Sequence, residues 1–448
     1  MWNFEYSYLD LPNFFHVPFV PTTLNDAHIL LFNDELANKL GIDGHDVFKM
    51  PKDAKPFAQS YGGYQFGHFN VLGDGRAAVL GEHIAHDGER FDVQIKGAGK
   101  TPFSRGADGM AALAPMLREY IISEFMHAIG IKTARSLYVA TTGITVMRER
   151  PLIGATLART ASSHIRIGTF NLARIVGTPE HVKALADYTI SRHFPEIKDA
   201  HNPYLKLLQK VAKLQAETVA KWMCVGFVHG VMNTDNALIS GETIDYWPCA
   251  FLDIFDPNAV FSSIDAQGRY KYQNQPIVAG WNIIRFAESL EGLVPQKDID
   301  EEIENFAKYY EDYWLKGMCG KIGLKDAHKD DAKLINELLS TMYLNELDFT
   351  NTFLDFGITK LNEWRAKWLK RLKISGQTEQ EALDIMHKNN PAIIPRNHQV
   401  EHALAKAEEG DLSYTISLVE ALKTPYIQNE KYAQPPQKDY KCTTFCGT

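Results

Sequence analysis

Long apolar runs, basic charge and cysteine are all scarce in this sequence of 448 residues. No stretch of about 18 uncharged apolar residues occurs, so the sequence predicts no membrane-spanning helix. The chain has 47 Lys and Arg against 55 Asp and Glu, which gives a net charge of −8. Because this balance creates no global positive field, we expect neither nucleic acid nor a membrane as a partner.

The cysteines are too few and too scattered for a secreted disulfide scaffold, and their number is odd. They are Cys224, Cys249, Cys319, Cys442 and Cys446. The opening residues, Met1 to Glu5, lack the basic and apolar regions of a signal peptide and the Arg-rich character of a transit peptide. A cytoplasmic protein is the simplest expectation.

Hydrophobic residues make up 45% of the chain, enough for a large core. Short apolar runs predict strands over 77–80, 91–95, 137–141, 145–147 and 155–158. Apolar residues at three- and four-residue steps predict helices over 115–129, 203–223, 283–293, 298–315 and 333–344. The pattern indicates an α+β protein with a small sheet-rich lobe and a larger helical lobe.

These elements divide the chain into three parts. We expect a sheet-rich N-terminal lobe over 1–175, a helical C-terminal lobe over 176–424 and an irregular tail over 425–448.

A glycine-rich stretch contains Tyr61–Gly67 and then Gly73, Gly75 and Arg76. Glycines let backbone N–H groups approach phosphate oxygens, and an adjacent arginine adds a fork of donors. Alternatively, Gly73 and Gly75 are only the turn residues of a hairpin. By itself this motif leaves both interpretations open.

Lys96 ends a predicted strand, and Glu119 lies on the predicted helix that follows. Kinase folds use such a lysine, held by a helix glutamate, to contact a nucleotide phosphate. The alternative is two solvated charges. The intervening Gly97–Thr101 resembles a P-loop but lacks the G-x-x-x-x-G-K-[ST] spacing, so we reject a Walker A motif.

The segment His229 to Asn236 has His and Asn at the separation found in the kinase catalytic loop H-R-D-x-x-x-x-N. Val231 occupies the position of the usual kinase base. Asp235, directly before Asn236, supplies a carboxylate instead.

A turn at Ser240–Gly241 would fold the chain so that Asn236 directly opposes Asp245. Opposed residues lie about 5 Å apart, close enough for an amide oxygen and a carboxylate to share one hard cation. Asp245 would then take the place of the DFG aspartate of kinases. The alternative is that Asn and Asp serve here only as turn formers.

Arg159 and Arg166 stand close together in sequence. Two guanidinium groups in this arrangement could clamp a terminal phosphate, although two ordinary surface arginines would look the same.

Together these stretches resemble the selenoprotein O family of protein adenylyltransferases, known in bacteria as YdiU, which has a pseudokinase fold. The matching motifs cover almost the entire chain. They are Gly62–Gly67, Leu72–Ala77, Lys96–Gly99, Thr101–Arg105, Arg118–Glu119, Ser123–Glu124, His229–Asn236, Asn274–Pro276, Trp281–Asn282, Pro395–His398 and Phe445–Thr448.

The resemblance implies a kinase-like two-lobed fold that binds ATP inverted relative to kinases. AMP would pass to a Ser, Thr or Tyr hydroxyl of a protein substrate, and pyrophosphate would leave. Asp235 would accept the proton, Asn236 and Asp245 would hold Mg²⁺ or Mn²⁺, and Glu119 would pair with Lys96. The implied nucleotide contacts are Gly73, Gly75, Arg76, Lys96, Asp108, Gly109, Arg159, Arg166 and Asp245.

Other activities remain open at this point. They are UMP transfer with Mn²⁺, phosphoryl transfer, and a catalytically silent nucleotide-binding scaffold. Trp247 and Cys249 depart from the usual family pattern, in which Gly and Phe are more typical. The resemblance also makes Cys446 a candidate redox residue, paired with Cys442 or Cys249, although ordinary thiols would fit the sequence equally well.

Overall fold

The computed structural model describes residues 1–22, 26–437, Tyr440 and Thr444. Its strands are β1 Phe4–Glu5, β2 His16–Pro18, β3 His28–Phe32, β4 Phe57–Gln65, β5 His68–Gly73, β6 Ala77–Ile84, β7 Arg90–Lys96, β8 Ala111–Ala112, β9 Arg135–Met147, β10 Pro151–Ala161, β11 Phe227–Val228 and β12 Ala250–Phe251.

The helices concentrate in the second part of the chain. They are α1 Asp34–Leu40, α2 Leu113–Ala128, α3 Ile167–Ile175, α4 Pro179–His193, α5 Pro203–Val225, α6 Gln275–Ser289, α7 Gln296–Lys321, α8 Asp331–Leu344, α9 Phe349–Thr352, α10 Asn362–Ile374, α11 Glu379–Asn389, α12 Asn397–Glu408, α13 Ser413–Leu422 and α14 Glu430–Ala433.

A ten-stranded antiparallel sheet forms the first lobe, with the strand order β2-β4-β6-β7-β10-β9-β3 along its main path. Strands β6 and β7 lie inside it and are buried along nearly their whole length. In β7 and β10, Arg159 lies directly opposite Gln94, and Leu157 lies opposite Lys96. Because side chains alternate along a strand, Gln94, Lys96 and Arg159 share one face of the sheet.

Helix α2 packs on the sheet and carries fully buried Leu117 and Phe125. The same hydrophobic core continues into α5 and α6 of the helical lobe, through residues such as Val211 and Phe286. A second core around Trp368 joins the helices α7, α8, α10 and α11. The two lobes therefore share one large core, and the second core is confined to the helical lobe.

The expected fold class is confirmed: the protein is α+β, with a sheet-rich first part and a mostly helical second part. The two strands expected over 137–141 and 145–147 are one strand, β9, which continues through Gly143. The region expected to be an irregular tail contains α14, which buries Tyr432. In the described part of the chain, no helix is long and apolar enough to cross a membrane.

Candidate active site

A cavity of about 300 Å³ lies between the sheet and the loop that follows β11. It is lined by eleven of the residues singled out from the sequence, while Glu119 lies directly behind it. The eleven are Gly73, Gly75, Arg76, Lys96, Asp108, Gly109, Arg159, Arg166, Asp235, Asn236 and Asp245. The fold therefore gathers residues from distant parts of the chain around one space.

A buried group of charges forms the back of the cavity. The Nζ atom of Lys96 lies 2.5 Å from Glu119 Oε2 and 2.5 Å from Asp245 Oδ1. Arg159 Nη1 lies 2.6 Å from Glu119 Oε1 and 2.8 Å from Asp245 Oδ1, and its other nitrogens donate to Gln94. Lys96 and Glu119 are thus not two solvated charges but a buried ion pair of the kinase type.

Asp245 contacts this group of charges and has a left-handed backbone conformation, with a φ of 61°. Burial alone would raise the pKa of its carboxyl group, but Arg159 and Lys96 hold the pKa well below its usual range. The carboxylate is therefore ionised at neutral pH, and about 23% of the side chain remains exposed toward the cavity.

Arg166 also lines the cavity and is buried, with its guanidinium group 4.0 Å from the ring centroid of Tyr61. Its Nη1 atom lies 3.6 Å from Asp74, too far for a strong hydrogen bond. Among the described residues, its Nε and Nη1 atoms have no hydrogen-bond partner. A buried guanidinium group with unmet donors is suited to an anion entering the cavity.

The glycine-rich segment differs from the expectation that its N–H groups face a phosphate. The N–H of Gly75 donates to the backbone carbonyl of Gly73, and the N–H of Asp74 donates to the backbone carbonyl of Gln59. The glycines are required by packing instead: a Cβ atom at Gly73 would lie 2.3 Å from the ring of Phe103.

The loop that resembles a P-loop supports this segment. Thr101 Oγ1 donates to the carbonyl of Asp74 at 2.7 Å, and the Ser104 hydroxyl donates to the carbonyl of Gly75. At Gly109, which has a φ of 71°, a Cβ atom would lie 2.1 Å from the carbonyl oxygen of Gly99. Asp108 accepts hydrogen bonds from Arg148 and from the N–H of Met110. The rejected Walker A stretch thus acts as a scaffold.

Asp235 lies on a short 3-10 turn, Thr234–Asn236, below the β4–β5 hairpin. Its Oδ1 atom is buried and has no hydrogen-bond partner among the described residues. Burial raises the pKa of this carboxyl group to about 6. Gly63 makes this position possible, since a Cβ atom there would lie 2.0 Å from Asp235 Oδ1.

The predicted pairing of Asn236 with Asp245 is wrong by one residue. Ala237 pairs with Thr243 instead, so Asn236 and Asp245 are not directly opposed. The turn is longer than expected and spans residues 238–242. Within it the N–H of Gly241 donates to the carbonyl of Leu238, and Leu238 pairs with Arg166. Both Asn236 and Asp245 nevertheless line the cavity.

These two side chains fit a divalent metal ion by the chemistry of their donors. The amide nitrogen of Asn236 donates to Val231, which leaves its oxygen atom for a cation. Carboxylate and amide oxygens are ligands that Mg²⁺ and Mn²⁺ accept, and Mg²⁺ commonly takes its other ligands from substrate phosphates and water. No cluster of three or more His, Cys, Asp or Glu side chains suited to a metal ion occurs in the ranges that the structure describes.

Several cavity residues were not identified as site residues from the sequence. They include Tyr61, Asp74, Phe103, Arg105, Arg148 and Asn233. Tyr61 precedes Gly62 and Asp74 stands between Gly73 and Gly75, so their position beside these glycines was the available signal. Arg148 lies outside every motif, and only the folding of β9 brings it to Asp108.

Of the three candidate redox cysteines, Cys249 alone lies among the described residues. Cys249 is buried, and its Sγ atom donates to the carbonyl oxygen of Tyr246 at 3.0 Å. Cys442 and Cys446 lie outside the described residues. Their redox role stays a prediction.

The chain is similar over most or all of its length to proteins of one family. The family model described as Protein adenylyltransferase SelO matches residues 2–367. Two relatives named Protein nucleotidyltransferase YdiU, from Anoxybacillus flavithermus and Geobacillus kaustophilus, are 51% and 49% identical across 100% of this chain and 99% of their own length.

A solved structure of ROP2 from Toxoplasma gondii is described as a virulence factor with a protein-kinase fold and no enzymatic activity. It shares 10% identity with this chain at a TM-score of 0.25, covering 78% of this chain and 93% of its own. A TM-score this low carries no conclusion.

The cavity contains a buried Lys–Glu pair of the kinase type, and the family match and the relatives assign the chain to the protein nucleotidyltransferases. The chain belongs to the SelO family of protein nucleotidyltransferases, since the family match and the two relatives cover most or all of it. This activity implies a nucleotide substrate and a divalent metal ion.

Proposed function

We propose that the protein transfers AMP from ATP to Ser, Thr or Tyr hydroxyls of protein substrates, with ATP inverted relative to kinases. The observation that carries this proposal is Asp235, a buried carboxylate with a pKa of about 6 and an unpaired Oδ1 atom. A general base works best when its pKa lies near the working pH. Val231 occupies the position of the usual kinase base, and Asp235 takes over that role.

In the proposed step, Asp235 accepts the proton of the acceptor hydroxyl, whose oxygen forms a bond to the α-phosphorus of ATP. The bond between that phosphorus and the oxygen bridging to the β-phosphorus breaks, and pyrophosphate leaves. The protein contributes chiefly by positioning the reactants and neutralising their charge.

The cavity arginines and Lys96 supply the positive charge for the triphosphate. Arg166 has unmet donors, whereas Lys96 and Arg159 are already paired with Glu119 and Asp245. Asn236 and Asp245 would hold Mg²⁺ or Mn²⁺, which neutralises phosphate charge when bound. Gly73, Gly75, Arg76, Asp108 and Gly109 complete the proposed nucleotide site.

The test is labelling with ATP carrying ³²P at the α or the γ position, with Mg²⁺ and with Mn²⁺. We expect protein-bound label from α-³²P-ATP and none from γ-³²P-ATP, and an added mass of about 329 Da per modified residue. Label retained from the γ position would show phosphoryl transfer and contradict inverted binding.

The same experiment separates the remaining alternatives. Stronger labelling from α-³²P-UTP with Mn²⁺ would establish UMP transfer instead. Absence of label from either nucleotide, with nucleotide binding intact, would indicate a silent scaffold. The proposal places the reaction in the cytoplasm, which fractionation of cells expressing the tagged protein would test.

A further inference from the structure

A second groove, of about 680 Å³, lies beside the tip of the β4–β5 hairpin. One side is formed by Phe66 and His68 at the hairpin tip, and the other by the loop 264–271 and the start of α6. The groove is separate from the nucleotide cavity, because none of its lining residues belongs to that cavity.

Tyr270 connects this groove to the catalytic loop, the segment 229–236 that carries the proposed base. Its hydroxyl donates to Asn233 Oδ1 at 2.5 Å and accepts from the N–H of Phe66 at 3.3 Å. Asn233 lines the nucleotide cavity and stands two residues before Asp235. A chain lying in the groove would therefore pass close to the proposed base.

The groove carries positive charge in a protein whose net charge is −8. Arg269 and Lys271 line it, and neither forms an ion pair among the described residues; Lys271 Nζ donates to Asn258 Oδ1 at 3.0 Å. The one carboxylate in the lining, Asp265, is buried and accepts the N–H groups of Arg269 and Tyr270. The lining therefore holds two cations against one carboxylate, and that carboxylate is engaged by the backbone of its own loop.

An aromatic stack holds the first of these cations in place. The guanidinium group of Arg269 lies 4.9 Å from the ring centroid of Trp281, and Arg285 lies 5.1 Å from the same ring. Such contacts fix the direction of a guanidinium group and leave its edge available for a carboxylate. Beside the stack, Ile264 and Ile277 are 49% and 72% exposed.

We infer that this groove is the docking site for the acceptor protein and selects segments with acidic residues next to an aliphatic residue. The inference rests on the proposed function, since it assigns the acceptor of that reaction. Carboxylates would pair with Arg269 and Lys271, and the aliphatic side chain would cover Ile264 and Ile277. Such complementarity governs which partner binds more than how tightly it binds.

A binding measurement tests the groove without requiring transfer. The probes are a fluorescein-labelled peptide of Glu, Leu and one Tyr, its counterpart with Lys in place of Glu, and a labelled oligouridine. We expect the full-length protein to bind the Glu peptide at least about tenfold more tightly than either other probe. Equal affinity for the three probes, or preference for the Lys peptide or the oligouridine, would overturn the inference.

Variants then assign the preference to named residues. Arg269→Glu and Lys271→Glu should each weaken binding of the Glu peptide about tenfold and strengthen binding of the Lys peptide. The affinity for Mg-ATP should stay unchanged. Lys373→Glu, an exposed position on helix α10 with no ion pair among the described residues, is the matched control and should change the binding of neither peptide. A gain of Lys-peptide binding cannot arise from misfolding, and its absence in both groove variants would refute the assignment.

Transfer assays with the same two peptides extend the test to the reaction. If the Glu peptide is labelled from α-³²P-ATP, its KM should rise in Lys271→Glu with little change in kcat. Selective binding without any transfer would contradict the proposed function but leave the docking groove standing, so the two failures are distinguishable.

Discussion

At the scale of the residue, Asp235 combines burial with an Oδ1 atom that no donor contacts in the described structure. Its pKa of about 6 makes catalysis sensitive to pH in a range where an ordinary aspartate stays ionised. Because the base must be deprotonated, kcat/KM should fall about tenfold per pH unit below pH 6.

A pH series of initial labelling rates measures this fall. The affinity for Mg-ATP, measured over the same range, is the control and should change little, because the pKa of Asp245 lies far lower. A rate that stays constant down to pH 5 would count against Asp235 as the base.

Replacing Asp235 by Asn should abolish transfer and stabilise the fold. The folded-state pKa is about 6, above the unfolded value, so the ionised carboxylate destabilises the native state at neutral pH. The variant should gain about 1–3 kcal/mol in free energy of unfolding at pH 7.5, with the gain fading as the pH falls toward 4. Urea unfolding at both pH values checks this, and a less stable variant at pH 7.5 would contradict it.

Asp245→Ala should lower metal-dependent labelling at least about 100-fold, because a ligand and a charge are removed together. Lys96 and Arg159 keep Glu119 as a partner, so the variant should still fold. Asp187→Ala, which removes an exposed carboxylate paired with Lys183, is the control. Normal labelling by a folded Asp245→Ala protein would refute the metal role.

At the scale of the element, the β4–β5 hairpin and the catalytic loop fit together only because Gly63 has no side chain. The N–H of Tyr64 donates to Thr234 Oγ1 at 3.0 Å, which fixes the hairpin against the loop. Gly63→Ala would place a Cβ atom 2.0 Å from Asp235 Oδ1 and displace the carboxylate.

A displacement of about 1 Å at a catalytic group can lower the rate about 100-fold, and we expect a loss of that order in Gly63→Ala. Gly44→Ala serves as the control, because its Cβ atom would lie at an ordinary 3.4 Å from the ring of Phe32. Labelling rates at saturating ATP measure both variants. Full activity in Gly63→Ala would show that the hairpin can move away without consequence.

At the scale of the whole molecule, Arg192 on α4 joins the helical lobe to the sheet. Its Nη2 atom lies 2.6 Å from Asp92 on β7, and its Nη1 atom lies 3.3 Å from Glu82 on β6. All three side chains are buried, and removing the cation would take from Asp92 its arginine partner, while Glu82 would keep Arg90.

Arg192→Ala should therefore lower the free energy of unfolding by about 3–5 kcal/mol. The exposed pair of Arg174 with Glu291 is the matched comparison, and Arg174→Ala should cost less than about 1 kcal/mol. Urea titrations of both variants give the two values. Equal effects would mean that burial of the Arg192 pairs adds nothing to stability.

The sequence by itself determined the local parts of this protein. Apolar periodicity places α2 and α5 to within a few residues, because this pattern depends only on neighbours along the chain. The residue types at Lys96, Glu119 and Asp245 indicate their chemistry. Membership of one family followed from the same motifs taken together.

Tertiary structure alone decided how these parts meet. The one-residue shift beside Asn236 arises because Leu238 pairs with distant Arg166, and the unpaired Oδ1 atom of Asp235 depends on close approach by Gly63. The charge of the second groove likewise depends on Asp265 turning toward the backbone of its own loop. These contacts join residues far apart in the chain, and local sequence does not encode the distances between them.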